Sequence, residues 1–334
     1  MSTVDFGSIS PRTAAYAQKQ LLTRAIGQMV FERWGQSKEQ PGHMSKTSVF
    51  RRYNSLSTTP MFLVEGVTPA GQPLTTTDVT VTLGQMGGVV NLTDIVLDTH
   101  EDPVLQEVTD LLGEQAGQQV ETMRYGILKA GTNVVYANGA TRAAVNTPIS
   151  LAVHRKATKA LKRQNAQQHT KALKSTPSYK TEPVAKSYIG FVHPDLEADY
   201  RNMVGADGKT VFIPVEKYGS MSPYENEIGS VEGVRLLTST ILVPFYDAGG
   251  AKGLMTSSGG VNTDVYPVLY CGANAYGVIA LKGKYSIIPM ICNPVANAAS
   301  DPLAQKGSAG WKTMQAAVIL NDAWMVRLEV GVTA

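Results

Sequence analysis

Cysteine is nearly absent from the 334 residues: Cys271 and Cys292 are the only two, and they form no CxxC pair. That argues against a disulfide framework and against a cysteine-built metal fold. Charge is also scarce, with Asp, Glu, Lys and Arg at 17% of the chain, below the usual quarter. Depletion of this kind accompanies large subunit interfaces, and it also fits an ordinary low-charge β protein. Long apolar runs are missing too. No stretch approaches the roughly 18 apolar residues that a membrane helix needs, and the first residues are polar where a secretory signal would be apolar. The expectation is a chain made and kept in the cytoplasm, with no membrane partner.

Catalytic signatures are equally sparse. The five histidines, His43, His100, His154, His169 and His193, fall in no HExxH or HxxxH arrangement. No GxSxG elbow and no GxGxxG after a strand occur. Gly205-Ala-Asp-Gly208-Lys209-Thr210 has too few residues between its glycines for a phosphate loop, and Asp-Gly is a strong hairpin turn. His193, Asp195, Glu197 and Asp199 form an acidic patch. Their spacing does not converge on a metal, whereas acids behind His-Pro complement the positive end of a short helix. These absences predict no cofactor, no metal and no enzyme.

Apolar residues at 43% can fill a sizeable core. Ser10-Pro11 starts a predicted amphipathic helix running to about Trp34, with Leu22, Ile26 and Trp34 on its stripe. Residues 35–46 read as a polar linker. From Thr47 the period becomes two, and Val79, Val81 and Leu83 alternate with threonines; the Pro/Gly/Thr-rich stretch between suits a long two-stranded projection. A lone hairpin is marginal in water and should seek a partner. Asp102-Pro103 opens a long helix that ends before Gly131, a second, basic helix spans about 150–174, and strands dominate thereafter. MQAAVIL-ND-AWMVRLEV reads as two alternating runs around a two-residue turn. The fold class is therefore α+β.

Charge is unevenly placed. Residues 122–181 hold eleven Lys/Arg and no acid, leaving nineteen basic against twenty-seven acidic residues elsewhere. Arg155, Lys159, Lys162 and Arg163 share one helical face opposite Val153, Ala157 and Leu161. That face suits a polyanion, an acidic neighbour or plain solvent.

VFRRYNSL, LVEGVTPAG, the helix from DPVLQEVTDLLGEQ to KAGTNVVYANG, SYIGFVHPDLEADYRN, EIGSVEGVRLLTST and the terminal GWKTMQAAVILNDAWMVRLEV together resemble the major capsid proteins of tailed bacteriophages, of the coliphage N-four type. The resemblance runs along nearly the whole chain in order. It implies the Hong Kong 97 fold, shared by tailed-phage capsids and encapsulins. By position it makes residues 1–46 an N-terminal arm, 47–90 an extended loop with adjoining strands, and 91–131 a peripheral domain with spine helix 103–130. Residues 132–310 become an axial domain, and 311–334 are strands returning to the peripheral domain.

The implied function is a head protein that self-assembles into hexamers and pentamers of an icosahedral shell around double-stranded DNA. The virion, assembled in the host cytoplasm, is its place. The implied partners are copies of itself, portal, scaffold or decoration proteins, and packaged DNA met by nonspecific phosphate contact. Interface residues would be Arg51, Arg52, Tyr53, Glu65, Ile26 and Trp34, and the basic face of the second helix would meet DNA or a subunit junction. An encapsulin-like compartment, a tail or decoration protein and a β-rich hydrolase are the alternatives. Some relatives of this fold join a loop lysine to a neighbour's asparagine; residues 47–128 contain no lysine, so a shell without covalent links is expected.

Overall fold

The computed structural model describes residues 29–60, 62–63, 65–66, 68, 71–95, 104–173, 181–218, 223–281, 287–292, 303 and 305–334. Ile26 and most of the expected first helix lie outside them. The described end of that stretch is not α-helical: Phe31–Arg33 form a single 3-10 turn. Val30, Phe31 and Trp34 are buried, so three apolar side chains in five residues are held by the core instead of lying along an exposed stripe. The expected linker also contains a strand, β1 (Gln36–Gln40), which pairs in parallel with β12 (Tyr276–Leu281).

Two sheets organise the chain. In the first, β14 (Lys306–Ile319) is the long central strand, bordered on one side by β4 (Gly84–Thr93) and on the other by β12 and β13 (Ile288–Cys292). Helix α1 (Val104–Leu128, 25 residues) lies across it, and at 1.5 Å per residue it is roughly 37 Å long. Leu112 and Ala116 on its inner stripe pack with Leu92, Ala309 and Trp311. The spine-helix expectation holds to within two residues at each end.

The second sheet has the order β5-β15-β11-β7-β10-β9-β8, with β6 (His169–Leu173) added to β7. Its members are β5 (Val134–Tyr136), β7 (Thr181–Val192), β8 (Ile213–Pro214), β9 (Glu227–Val231), β10 (Val234–Thr238), β11 (Tyr266–Cys271) and β15 (Met325–Val330). The turn between β9 and β10 uses two left-handed residues, Glu232 at φ 40° and Gly233 at φ 85°, the primed geometry that matches strand twist. β7 runs parallel to β10, and Gly190 is required there because a Cβ would meet Leu236 and Tyr270 at 2.8 Å. Helix α2 (Leu151–Arg163) covers this sheet with Val153, Ala157 and Leu161. It is capped by Ser150 Oγ, which accepts from the Val153 amide at 3.4 Å, and closes at Asn165, which takes φ 50°. It is therefore shorter than the expected 150–174, because residues from His169 are taken up by β6. Helix α3 (Glu197–Arg201) follows Pro194–Leu196, with His193 accepting from the Asp195 amide, as the helix-start reading expected. Gly208 at φ 74° turns the chain between Val204 and Thr210, as Asp-Gly predicted.

One expectation fails. β14 and β15 do not form a hairpin: β14 belongs to the helix-backed sheet and β15 to the other. A 3-10 turn at Asp322–Trp324 redirects the chain, held by the Asp322 carboxylate accepting from the Thr132 amide at 3.0 Å and by the Trp324 indole donating to the Gln164 carbonyl at 3.1 Å. Of the two closing strands, β14 lies against α1 and β15 pairs with β11 and β5.

Candidate functional site

The most distinctive surface is a two-stranded ribbon. β2 (Thr47–Tyr53) pairs antiparallel with β3 (Thr76–Thr82) in unbroken register from Thr47↔Thr82 to Tyr53↔Thr76. Its root is fixed on the helix-backed sheet, where Phe50, Val81 and Leu83 close over Ile279 and Ala316. Gly277 makes this possible, since a Cβ there would stand 2.7 Å from the Phe50 ring. Lys38 spans the other side, its ammonium 5.4 Å from the Phe50 ring centre and donating to the Val49 carbonyl.

Beyond the root the ribbon leaves the body. Arg51 and Asp78 face one another and make two bonds of 2.8 Å; the Arg51 side chain holds the Asp78 carboxyl below its usual range. Asn54 ties the strand ends through Thr75 and Thr77. Tyr53, Leu56, Phe62, Leu63 and Leu74 are all more than half exposed, Phe62 at 92%. So many bare apolar groups on one projection mark a contact surface. Glu65 lies exposed in the turn at the far end.

A second apolar surface continues from the ribbon root. By register, Val89 of β4, Gly310 of β14 and Met290 of β13 stand in one cross-strand row. Val89 and Met290 are exposed, on the face of β14 opposite the one covered by α1. The ribbon root therefore covers one end of this face and leaves the other bare. Cys292 is exposed in the next row, and Cys271 is buried, its thiol pushed up by desolvation.

The structure separates the sequence-predicted residues. Arg52 and Tyr53 are exposed on the ribbon. Arg51 is exposed as well but is engaged by Asp78 of its own chain. Trp34 is a correction: it is 4% exposed, its ring edge-on to Tyr224 at 4.7 Å and to His169 at 5.3 Å, and so it is spent inside its own subunit. On α2, Lys156, Lys159, Lys162 and Arg163 are exposed and charged on one side of the helix. Arg155 is different, since Glu232 clamps its guanidinium at 2.5–3.1 Å, leaving less of its charge for another partner.

A buried ionic clasp lies where sequence pattern marks nothing. Glu121 is 0% exposed; its Oε2 accepts from the Val30 and Phe31 amides at 3.1 and 2.9 Å, and its Oε1 from Arg124 at 2.6 Å. Arg124 also donates to Glu32 and, at 2.7 Å, to Gln315. Burial pushes the Glu121 carboxyl up, and Arg124 with the two amides opposes that. The Glu121–Arg124 pair thus ties the start of the described chain, α1 and β14 together. An i,i+3 acid–base pair on a helix ordinarily reads as solvated surface, which is why it escaped notice.

No group of three or more His, Cys, Asp or Glu side chains fit to hold a metal occurs among the described residues, and no helix among them is long and apolar enough to cross a membrane.

Comparison with known proteins gives this geometry its context. No match was found among curated proteins. The fold is similar to the capsid of Ralstonia phage GP4, at 14% identity over 90% of this chain and 87% of that one, with a TM-score of 0.67. It is similar to the capsid of the cyanophage P-SCSP1u at 13% identity, over 91% and 88% of the two chains, with a TM-score of 0.58. The head of Helicobacter pylori bacteriophage KHP40 matches at 12% identity, over 89% and 87%, with a TM-score of 0.58. The chain thus has the mixed α+β fold of these phage capsids, the Hong Kong 97 fold. A family model described as "Phage capsid protein" matches residues 76–282, well over half of the sequence, and the chain belongs to that phage capsid protein family.

Proposed function

We propose that the chain is the major shell subunit of a tailed phage head, closing into rings of six and five that enclose double-stranded DNA. The observation that carries this reading is the ribbon, rooted rigidly by Phe50 and Gly277 and bare of partners where it carries Tyr53, Leu56, Phe62 and Leu63. Burying such groups on a neighbour would supply about 25 cal/mol per Å² of apolar area. The bare end of the helix-backed sheet, with Val89 and Met290, offers a neighbour's apolar groups a place to land. In this reading Arg52 and Glu65 pair with charges across subunits, and virion assembly takes place in the host cytoplasm with portal, scaffold or decoration proteins. The subunit's role is structural, without a catalytic step. Negative-stain micrographs of the purified chain should show closed shells. Small monomers that do not assemble under any ionic condition would overturn the reading, and shells whose native contents are protein without DNA would favour an encapsulin-like compartment.

The exposed basic side of α2 is assigned to packaged DNA. Lys156, Lys159, Lys162 and Arg163 lie together there with no acid on the helix, and phosphate contacts of this kind weaken steeply with salt. Changing these four to Gln should leave shells intact and release the genome at lower salt; unchanged retention across the salt series would place the helix at a subunit junction. The shell is held without covalent links, since residues 47–128 carry no lysine to act as a nucleophile. Particles boiled in reducing detergent should run as one band at the monomer mass, and a ladder of multimers would refute this.

A further inference from the structure

A cleft of about 300 Å³ opens where the ribbon root meets the turn between β14 and β15, a volume at the low end of those that hold a ligand. Part of its lining is apolar: Phe50 is buried, and Leu320 and Trp324 are half-buried beside it. The Trp324 indole is fixed by its bond to the Gln164 carbonyl, so its ring is a preset wall. Four amide side chains, Gln36, Gln167, Asn274 and Asn321, complete the lining, and among the described residues none of the four makes a side-chain hydrogen bond. Each offers a donor and an acceptor, the same pair that a peptide unit presents, so together they can hold a stretch of main chain. Gln36, Gln167 and Asn274 are exposed, which leaves the cleft open for a chain to run through.

Ribbon register adds a charge. Arg51 lies opposite Asp78, which neutralises it, whereas Arg52 lies opposite Thr77. Arg52 lines the cleft, and among the described residues no Asp or Glu does. A guanidinium grips a carboxylate through two parallel bonds, and aromatic walls take an apolar side chain. One uncancelled cation suits one carboxylate; a strand of nucleic acid, with a charge at every nucleotide, would ask for several. The geometry points to this cleft as a docking site for an extended peptide segment of another virion protein, one in which an acidic residue stands beside an apolar one. Its main chain meets the four amides, its carboxylate Arg52, and its apolar side chain the Trp324 wall. The inference rests on the shell reading and sharpens one of its contacts: the charge that Arg52 meets belongs to a subunit of a different protein. Copies of the chain meet the ribbon's apolar far end in that reading, which leaves the cleft at its root to such a partner.

A set of capped, fluorophore-labelled hexapeptides that place one Asp or Glu beside one Leu, Ile or Phe tests it, titrated by anisotropy against full-length protein as free subunits and as assembled shells. Members of the set should bind both forms, and the same peptides with Asn or Gln in place of the acid should bind at least about tenfold more weakly, the loss of a charge-assisted pair. Arg52→Gln should erase that difference between acid and amide peptides while its melting midpoint stays within about 2 °C, since the position is exposed. Lys159→Gln, on α2, should leave the difference intact. Binding of no peptide, equal binding of acid and amide peptides, or tighter binding of a short thymidine oligonucleotide would overturn the inference and leave the shell reading standing. So would peptide binding to free subunits that vanishes in shells of this chain alone, which would give the cleft to a neighbouring copy. A wild-type chain that never assembles would overturn both, since the partner is placed in the virion.

Discussion

The interior of the strand-rich half and the ribbon are built from the same residue classes and behave as opposites. Around α2 and the larger sheet, Leu161, Leu236, Val268 and Leu328 are fully buried, and a chain of polar side chains is bonded within: His154 Nδ1 meets the Tyr270 hydroxyl at 2.8 Å, which meets the Tyr200 hydroxyl at 2.8 Å. On the ribbon, Tyr53, Leu56, Phe62 and Leu63 have no such cover. Stability of the free subunit is therefore concentrated in the interior, and the ribbon holds free energy released only on contact. Disturbing each region separately should show that division.

Acid should give the largest effect, and it acts on the interior. His154 and His169 are buried among apolar groups, and desolvation lowers each from 6.5 to about 4. Because the folded value is depressed, the unfolded chain binds more protons between these values. Stability is full above about pH 6.5, falls as the pH drops, and has lost this contribution below about 4. A loss on the order of several kcal/mol is expected. Urea unfolding at pH 7 and 4.5, followed by tryptophan fluorescence, measures it directly, since Trp34 lies against His169. The ribbon strands contain no histidine, so its hydrogen-exchange pattern should not follow this titration.

Leu161→Ala should cost the free subunit about 2–5 kcal/mol, whereas Leu63→Ala should change its stability by less than about 0.5 kcal/mol and suppress shell formation. Denaturation of subunits and light scattering of assembly separate the two. If Leu63→Ala melted like Leu161→Ala, the ribbon would be part of the folding core. Gly277→Ala is intermediate: the added methyl displaces the Phe50 ring, and about 1–3 kcal/mol of strain is expected at the ribbon root. Calorimetry should register that loss. Arg51→Ala should have the smallest effect, with no measurable shift in the subunit's midpoint, because both partners are in solvent; its effect should appear in assembly rate under low salt.

Elements defined by local pattern were legible in the sequence. The 25-residue helix with its apolar stripe, the threonine–valine strand and the basic helix start after Ser150 all depend on residues near each other. What the sequence hid depends on distant partners. β1, QSKEQ, has no strand periodicity and becomes a strand by pairing with β12. Trp34 read as part of a helical stripe, yet its place is set by Tyr224 and His169. Arg155 read as free charge until the turn at Glu232 brought it a partner 77 positions away. β14 and β15 alternate like a hairpin, and only the bonds from Asp322 and Trp324 send them to different sheets.

The clasp at Glu121 has a consequence for the order of folding. Its bonds close chain segments of 90 and 191 positions, and the loop entropy of such closures must be met before they return anything. Helix α1 and the local strand pairs close short loops and are expected to form before the clasp, which needs Phe31 and Gln315 both in place. Without Val30, Phe31 and Gln315 the Glu121 carboxylate and the Arg124 guanidinium would keep only each other as partners among these groups. The clasp thus acts as a checkpoint: Val30 and Phe31 are fixed only once α1 and β14 are in place to receive them.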